Sequence, residues 1–245
     1  MRLAGQTIRL QVQYESFRSF AGDYLLPPET VKSQEDFSII ISDTDIAAEQ
    51  TRSDQEAAAE GKTTRIWPPE YLETLAVYRK IAEKMPAFDT FLFHGSAVAV
   101  DGQAYLFTAK SGTGKSTHTR LWRQHFGDRC IMINDDKPLL HWQEEHFLVC
   151  GTPWDGKHHL SRNMAVPLKA LCILTRDEYN HIEPISAEEA WPLLWQQVYR
   201  PADGEMFAQT LTLMDKLTKM IPLYRLGCNR QPEAAIISYE GMQQS

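Results

Sequence analysis

Residues 109–116, with the sequence Ala-Lys-Ser-Gly-Thr-Gly-Lys-Ser, have the types and spacing of a phosphate-binding loop. They match the pattern G-x-x-x-x-G-K-[S/T] at every fixed position except the first, where Ala109 replaces glycine. Gly112 and Gly114 can adopt positive φ, so successive backbone N–H groups can turn inward around an anionic phosphate. Two interpretations of Ala109 are open: it is already extended at the end of a strand, or the loop is degenerate.

The side chains of this loop predict how a nucleotide would be held. Lys115 would reach the β- and γ-phosphates, and Ser116 would give its hydroxyl to Mg²⁺. A helix from about Thr117 would aim its positive end at the same oxygens. The predicted nucleotide-binding residues are Ser111, Gly112, Thr113, Gly114, Lys115, Ser116 and Thr117.

Two adjacent carboxylates, Asp135 and Asp136, follow Ile131–Asn134, which is predicted to be a short buried strand. Adjacent carboxylates repel each other, so the pair is best explained where a strand ends beside a cation. One could ligate Mg²⁺ while the other accepts a proton from an attacking hydroxyl. The alternative is a solvated Asp-Asp turn.

The elements that must position these groups begin with a predicted β-hairpin. Phe91–Val100 and Gln103–Thr108 are β-rich runs separated by Asp101-Gly102, a strong signal for a type I′ turn. The strand that enters the phosphate loop is therefore expected to pair antiparallel with the strand before it. The fold predicted is α/β of the α+β kind, with a mixed, largely antiparallel sheet.

The register of this hairpin adds a candidate site residue. If Val100 faces Gln103, counting outward places His94 opposite Ala109, where the loop begins. His94 is then expected beside the phosphates, as a phosphate contact or a proton carrier. A structural histidine at a strand end is the alternative.

Periodicity and composition indicate the remaining elements and a division of the chain. Residues 1–65 are expected to form a small β-rich region of short strands that ends, over residues 43–64, in an exposed loop or a polar linker with some helix. Residues 66–245 are expected to form the nucleotide-binding catalytic domain. Helices are predicted over residues 71–85, 115–126, 187–199, 204–220 and 232–239, and further strands over residues 131–134, 146–150, 168–174 and 221–226.

Charge and composition exclude several function classes. A net charge of −7 argues against a nucleic-acid surface, and no apolar run is long enough for a membrane span or a signal peptide core. The four cysteines have no C-x-x-C spacing, which is typical of reduced, buried thiols in a cytoplasmic protein. A homo-oligomer is left open.

The chain resembles the catalytic domain of HPr kinase/phosphorylase in four features taken together: His94-Gly95, the hairpin, the S-G-x-G-K-S loop and the Asp-Asp pair that follows. The phosphate loop and fold of that family are related to those of phosphoenolpyruvate carboxykinase. The resemblance covers about residues 90–175. It implies that His94 lies near the phosphates and that residues 111–117 hold ATP. It also implies that Asp135 helps to bind Mg²⁺ and that Asp136 is the base that activates a serine hydroxyl.

The chain also departs from that family. The Glu-Ile-Arg-Gly stretch expected after the acidic pair is absent, and the segment Gly151–His159 takes its place. HPr as the substrate and the reverse phosphorylase reaction are therefore in doubt. The chain looks more like shorter HPr-kinase-like proteins found beside bacterial peptide-modification genes, some of which phosphorylate a serine of a lasso-peptide precursor.

Five residues in the part of the chain that follows the acidic pair are candidates for contacts with substrate or phosphate. Asp155, Lys157 and His158 could close over the nucleotide or the acceptor, although an ordinary Pro-Trp-Asp-Gly turn explains them equally well. Arg162 and Arg200 could stabilise charge on the transferring phosphoryl group, or form surface salt bridges. Metal binding by His158 and the adjacent histidine is disfavoured, because neighbouring histidines on one segment rarely converge.

These features predict an ATP-dependent kinase that uses Mg²⁺ to transfer the γ-phosphoryl group to a hydroxyl, most simply that of a serine in a peptide or protein. One alternative is a kinase for a small hydroxyl compound such as free serine. The other is a nucleotide-binding regulatory module without turnover, which Ala109 and the missing glutamate would explain.

Overall fold

The computed structural model describes residues 1–27 and 35–243, which form two compact units, Met1–Lys84 and Met85–Ser245. In the first unit, β1 and β2 pair antiparallel, and β2 and β3 pair parallel. The elements of this unit are β1 (Arg2–Leu3), β2 (Gln6–Gln11), α1 (Ser16–Ala21), β3 (Phe37–Ile40), α2 (Asp43–Ala59) and α3 (Pro69–Lys84).

Helix α2 occupies the segment that the sequence predicted to be a polar linker with some helix. Its first turn is fixed by the Asp45 carboxylate, which accepts a hydrogen bond from the Ser42 N–H at 2.8 Å. The buried carboxylate of Glu49 accepts two bonds from the Arg79 guanidinium of α3, at 2.8 and 2.9 Å. Because α2 and α3 are paired by this contact, the compact unit ends at Lys84, whereas the sequence placed the boundary at residue 65.

The second unit is a mixed α/β structure around one sheet of nine strands, in the order β4-β8-β9-β10-β6-β5-β7 with β12 paired to β10 and β11. Among the described residues, β10 pairs parallel with β6 and β12, and the other strand pairs are antiparallel. The elements are β4 (Thr90–Leu92), β5 (Ser96–Val100), β6 (Gln103–Thr108), α4 (Lys115–Phe126), β7 (Cys130–Asn134), β8 (Leu139–Gln143), β9 (His146–Cys150), β10 (Ala165–Arg176), β11 (His181–Pro184), α5 (Ala187–Trp195), α6 (Gly204–Met220), β12 (Leu223–Cys228) and α7 (Glu233–Gly241).

The predicted hairpin is confirmed. Val100 pairs with Gln103 across a turn in which Asp101 and Gly102 both have positive φ, 51° and 78°. The antiparallel register continues to the pair Ser96 and Phe107. The strand that leads into α4 is therefore the second strand of a hairpin, as the sequence indicated.

The prediction of one continuous strand over Phe91–Val100 is wrong, because the chain leaves the sheet between β4 and β5. The N–H groups of Phe93, His94 and Gly95 donate to the carbonyls of Pro138, Gln197 and Asp136 respectively, at 3.1, 2.7 and 3.1 Å. These contacts come from segments distant in sequence. They place His94 in the connection between β4 and β5 instead of within a strand.

The same break explains why α5 ends at Trp195, short of the predicted residue 199. Val198 forms an isolated bridge with Phe93, and the Tyr199 N–H donates to the Leu92 carbonyl at 3.0 Å. The backbone after α5 is thus drawn against the 92–94 segment. Gln197 is thereby fixed beside His94.

Helices cover both faces of the sheet. Alternating residues of the hairpin divide between the two faces: Val98 and Phe107 contribute to a cluster with α4 and α7, whereas Ala97 and Leu106 contribute to one with α5 and α6. Apolar packing on both sides therefore fixes the end of β6 and the start of α4, between which the candidate site lies.

Candidate functional site

The segment Ala109–Gly114, named here the glycine loop, joins β6 to α4. Gly112 and Gly114 have positive φ, 76° and 126°, whereas Ala109 is fully buried and does not. Arg176, at the end of β10, donates to the carbonyls of Gly112 and Thr113 at 2.6 and 3.4 Å. Because the backbone of Ala109 does not have positive φ, the first position of the loop does not require glycine. This agrees with the interpretation in which Ala109 is extended.

A cleft of about 630 Å³ lies beside the glycine loop and brings most of the predicted site residues together. Arg162 and Arg200 do not line this cleft, and both are exposed. Thr113 does not line this cleft and lines a second cavity instead. The cleft is lined by His94, Ser111, Gly112, Gly114, Lys115, Ser116, Thr117, Asp135, Asp136, Asp155, Gly156, Lys157 and His158.

Asn134, the last residue of β7, fixes the turn that carries the two carboxylates. Its Oδ1 accepts the N–H groups of Asp136 and Lys137 at 2.9 and 2.6 Å. Its Nδ2 donates to the Thr152 carbonyl at 2.9 Å. The acidic turn is thus joined to the segment that follows β9.

The two carboxylates have different environments. Asp135 is buried, and its Oδ1 accepts a hydrogen bond of 2.6 Å from the hydroxyl of Ser96 on β5. Ser96 Oγ also lies 2.9 Å from Thr119 Oγ1 on α4. Asp135 is therefore held by β5 through Ser96, which α4 contacts in turn through Thr119. The second oxygen of Asp135, Oδ2, is directed toward Gly156.

Asp136 lies beside His94. His94 Nε2 is 3.2 Å from Asp136 Oδ1, and His94 Nδ1 is 3.0 Å from Gln197 Oε1. Burial acts to raise the pKa of Asp136, but the hydrogen bond from His94 and the positive charge of Lys137 outweigh it and hold the pKa below its ordinary value. Asp136 is thus an ionised carboxylate at neutral pH.

Lys115 is the cation that opens α4 in the same cleft. Burial lowers the pKa of its ammonium, while the negative charge of Asp136 opposes that change, with a smaller contribution from Asp135. The cleft therefore contains a partly desolvated ammonium, at the N-terminus of a helix, together with the two carboxylates.

The segment after β9 closes one side of the cleft. The Asp155 carboxylate is used within this segment, since its Oδ1 lies 2.9 Å from His159 Nδ1 and its Oδ2 accepts the Ser161 N–H at 3.0 Å. Lys157 and His158 are exposed at the rim. A Cβ on Gly156 would lie 2.7 Å from Asp135 Oδ2, so a residue without a side chain is needed for this approach.

A profile of the family described as SynChlorMet cassette protein ScmC matches residues 63–231, which include every residue of the cleft. This chain belongs to the ScmC family. The solved Hpr(Ser) kinase/phosphatase from Coxiella burnetii is similar at a TM-score of 0.38 and 9% identity, over 62% of this chain and 88% of that chain. No curated protein matches the sequence of this ScmC family member.

Several residues that position the site were not found from the sequence. Gln197 contacts His94 because the segment after α5 packs against residues 92–94. No local sequence pattern predicts this contact. Ser96 gave a weak signal, as the polar residue in an otherwise apolar strand. Arg176 also lies far from the glycine loop in sequence.

Two further observations concern the ScmC chain as a whole. Of its four cysteines, Cys130, Cys150 and Cys172 are buried and Cys228 is half-buried, and burial raises the pKa of Cys130 and Cys150 to about 12. Within residues 1–27 and 35–243, no helix has the length and apolar character needed to cross a membrane.

Proposed function

We propose that this protein is an ATP-dependent phosphotransferase that transfers the γ-phosphoryl group to a hydroxyl, that of a serine in a peptide or protein. The observation that carries the proposal is the ionised Asp136, oriented by His94, in the same cleft as Lys115 and the glycine loop. A carboxylate beside the phosphates is the group that accepts the proton of an attacking hydroxyl in this reaction.

Phosphate binding is supported by the backbone of the glycine loop. The positive φ of Gly112 and Gly114 favours inward-facing N–H groups, and α4 begins at Lys115. The ammonium of Lys115 would neutralise charge on the β- and γ-phosphates. Ser111 to Thr117 are the proposed nucleotide-binding residues.

The donor set of the cleft fits Mg²⁺. Asp135 Oδ1 is engaged by Ser96, whereas its Oδ2 faces Gly156, where no Cβ covers it, and Ser116 lines the same cleft. Mg²⁺ in nucleotide sites takes one or two carboxylates together with phosphate oxygens and waters. We therefore propose Asp135 and Ser116 as its protein ligands. When bound, Mg²⁺ would neutralise charge on the transferring phosphoryl group.

The chemical step balances with these residues. The acceptor oxygen forms a bond to the γ-phosphorus while the bond from that phosphorus to the β–γ bridging oxygen breaks. The bridging oxygen leaves with its electron pair on ADP, and the hydroxyl proton passes to Asp136. His94, held by Gln197, keeps the Asp136 carboxylate oriented toward the cleft.

A peptide or protein acceptor is favoured over a small molecule by two observations. The His94-Gly95 pair, the glycine loop and the acidic pair keep the order and spacing of HPr-kinase-like enzymes, which act on a serine of a polypeptide. The family description names a cassette protein, so we propose that the acceptor is encoded in the same cassette.

The test is phosphoryl transfer from γ-labelled ATP with Mg²⁺ to peptides encoded beside the gene, followed by mass spectrometry to locate phosphoserine. Lys115→Ala and Asp136→Asn are each expected to abolish transfer. Lys110→Ala is the matched control, because Lys110 is an exposed lysine of the same loop that does not line the cleft.

Transfer by Asp136→Asn at the parental rate would show that Asp136 is not the base. Transfer to free serine without a peptide would show a small-molecule kinase. ATP binding without transfer to any of these acceptors would refute phosphotransfer and favour a regulatory nucleotide-binding module.

A further inference from the structure

A side chain from another strand, that of Arg176 at the end of β10, is bonded to the glycine loop. Its Nη2 donates to the Gly112 carbonyl at 2.6 Å, and its Nε donates to the Thr113 carbonyl at 3.4 Å. Strand β10 runs parallel to β6, which leads into the loop, so the end of β10 lies beside the start of the loop. A guanidinium presents its donors in a rigid planar fork. The contact therefore joins two adjacent peptide units of the loop to the sheet.

Arg176 acts on the loop from outside the proposed catalytic cleft. It does not line the cleft that contains Lys115 and the acidic pair. It lines the second cavity, of about 470 Å³, which also contacts Gly112, Thr113 and Gly114. The donors of Arg176 are engaged by loop carbonyls, whereas Lys115 is the cation within the cleft. Arg176 is therefore placed to orient the loop, and Lys115 to contact the phosphates.

A turn within the loop fixes the same peptide units from inside. The Thr113 N–H donates to the Lys110 carbonyl at 3.2 Å, and the Thr113 hydroxyl donates to the same oxygen at 2.8 Å. Gly112, the third residue of this turn, has a φ of 76°, close to the value of about 80° that a type II turn requires there. The turn accounts for the N–H of Thr113. The N–H of Gly114 donates to no acceptor among the described residues.

The direction of that free N–H follows from the contact with Arg176. In a trans peptide unit the C=O and N–H bonds point in opposite directions. Since the Thr113 carbonyl is directed at Arg176, the Gly114 N–H of the same peptide unit is directed away from Arg176. Gly114 also lines the cleft, and N–H groups on the concave side of such a loop bind phosphate.

We infer that Arg176 is a positioning residue, which fixes the carbonyls of Gly112 and Thr113 and thereby keeps the glycine loop in its phosphate-binding conformation before nucleotide binds. The inference rests on the proposed function. A loop that is already ordered loses less conformational freedom when its ligand binds, so the contact should contribute to affinity. Because the loop binds phosphate groups, the contribution should be equal for ATP and for inorganic tripolyphosphate.

Calorimetric titration with ATP and with tripolyphosphate is the first assay. Arg176→Ala is expected to weaken the binding of both ligands about tenfold, the effect of losing hydrogen bonds from a charged donor. Arg176→Lys keeps the charge but not the fork, so it should restore only part of the affinity. Arg230→Ala is the matched control, because Arg230 lines the same cavity and no hydrogen bond joins it to the loop within the described part of the chain. This control should bind both ligands as the unaltered protein does.

Hydrogen exchange of the ligand-free protein separates this role from a general loss of structure. In Arg176→Ala the Thr113 amide, which the turn protects, should exchange faster, whereas the amides of β6 and α4 should exchange as in the unaltered protein. Faster exchange throughout β6 and α4 would show that Arg176 stabilises the fold instead of positioning the loop, and unchanged exchange at Thr113 would also overturn the inference.

The titrations have equally definite outcomes. Unchanged tripolyphosphate affinity in Arg176→Ala, an equal loss in Arg230→Ala, or full restoration by Arg176→Lys would each show that the two bonds to the carbonyls do not position the loop. If ATP binding still depends on Lys115 in that case, this inference is wrong and the proposed function stands. If the unaltered protein binds neither ATP nor tripolyphosphate, both are wrong.

Discussion

Replacing Gly156 with alanine tests whether Asp135 is a metal ligand without changing any proposed ligand. The backbone of Gly156 does not have positive φ, so alanine is compatible with its conformation. The added Cβ would lie 2.7 Å from Asp135 Oδ2 and 3.2 Å from its Cγ, whereas ordinary contact begins at 3.4 Å. The substitution therefore acts by sterically displacing one carboxylate.

The required displacement is the difference between 3.4 and 2.7 Å, or 0.7 Å. A movement of that size strains the 2.6 Å hydrogen bond that Asp135 accepts from Ser96. Overpacking of this kind costs about 1–3 kcal/mol, and a misplacement of about 1 Å can lower a rate about 10²-fold. Mg²⁺ is expected to increase the affinity for ATP, and in Gly156→Ala this increase should be smaller by at least about tenfold. A tenfold change corresponds to about 1.4 kcal/mol.

The assay is calorimetric titration of ATP with and without Mg²⁺, which does not depend on knowing the phosphoryl acceptor. Gly204→Ala is the matched control, because a Cβ there, at the first residue of α6, meets nothing within 4 Å. ATP binding without Mg²⁺ should be nearly unchanged in both variants. If Gly156→Ala retained the full effect of Mg²⁺ on ATP affinity, Asp135 would not be a metal ligand in the arrangement described.

Three further predictions follow from other contacts. His94→Ala removes the hydrogen bond that helps to hold the pKa of Asp136 low, so the loss of kcat/KM as pH falls should begin at a higher pH; an unchanged acid limb would contradict the assigned base. Glu49→Gln weakens the buried ion pair with Arg79, and thermal denaturation should show about 1–3 kcal/mol lower stability. At pH 7 the four cysteine thiols should react slowly with a disulfide reagent until the protein is denatured, because burial raises their pKa; rapid labelling of native protein would count against the buried positions.

The parts of the fold that the sequence predicted are those decided by local chemistry. The positive φ values needed at Asp101 and Gly102 restrict the turn to few residue types, and the two-residue length then sets the hairpin register. The bounds Lys115–Phe126 and Gly204–Met220 followed from helical spacing and end signals in the same way. For the site, this reasoning led to the glycine loop, the acidic pair and His94.

What the sequence did not predict depends on contacts between distant segments. The break at His94 is produced by carbonyls of Pro138, Gln197 and Asp136, and none of these has a local signature. Helix α2 was anticipated only in part, as some helix within a polar linker, for another reason. It buries only Ile46 and Glu49, so it lacks the apolar period by which an amphipathic helix is recognised.

The side chain of Asn134 has a consequence for how this site can change over evolutionary time. One amide holds the turn of Asp136 through its oxygen and the Thr152 backbone through its nitrogen. Aspartate at this position would keep the first contact and repel the second, and no other residue of that size supplies both. The turn of the acidic pair and the segment after β9 are therefore expected to vary together among relatives, as one inherited module, wherever this asparagine is replaced.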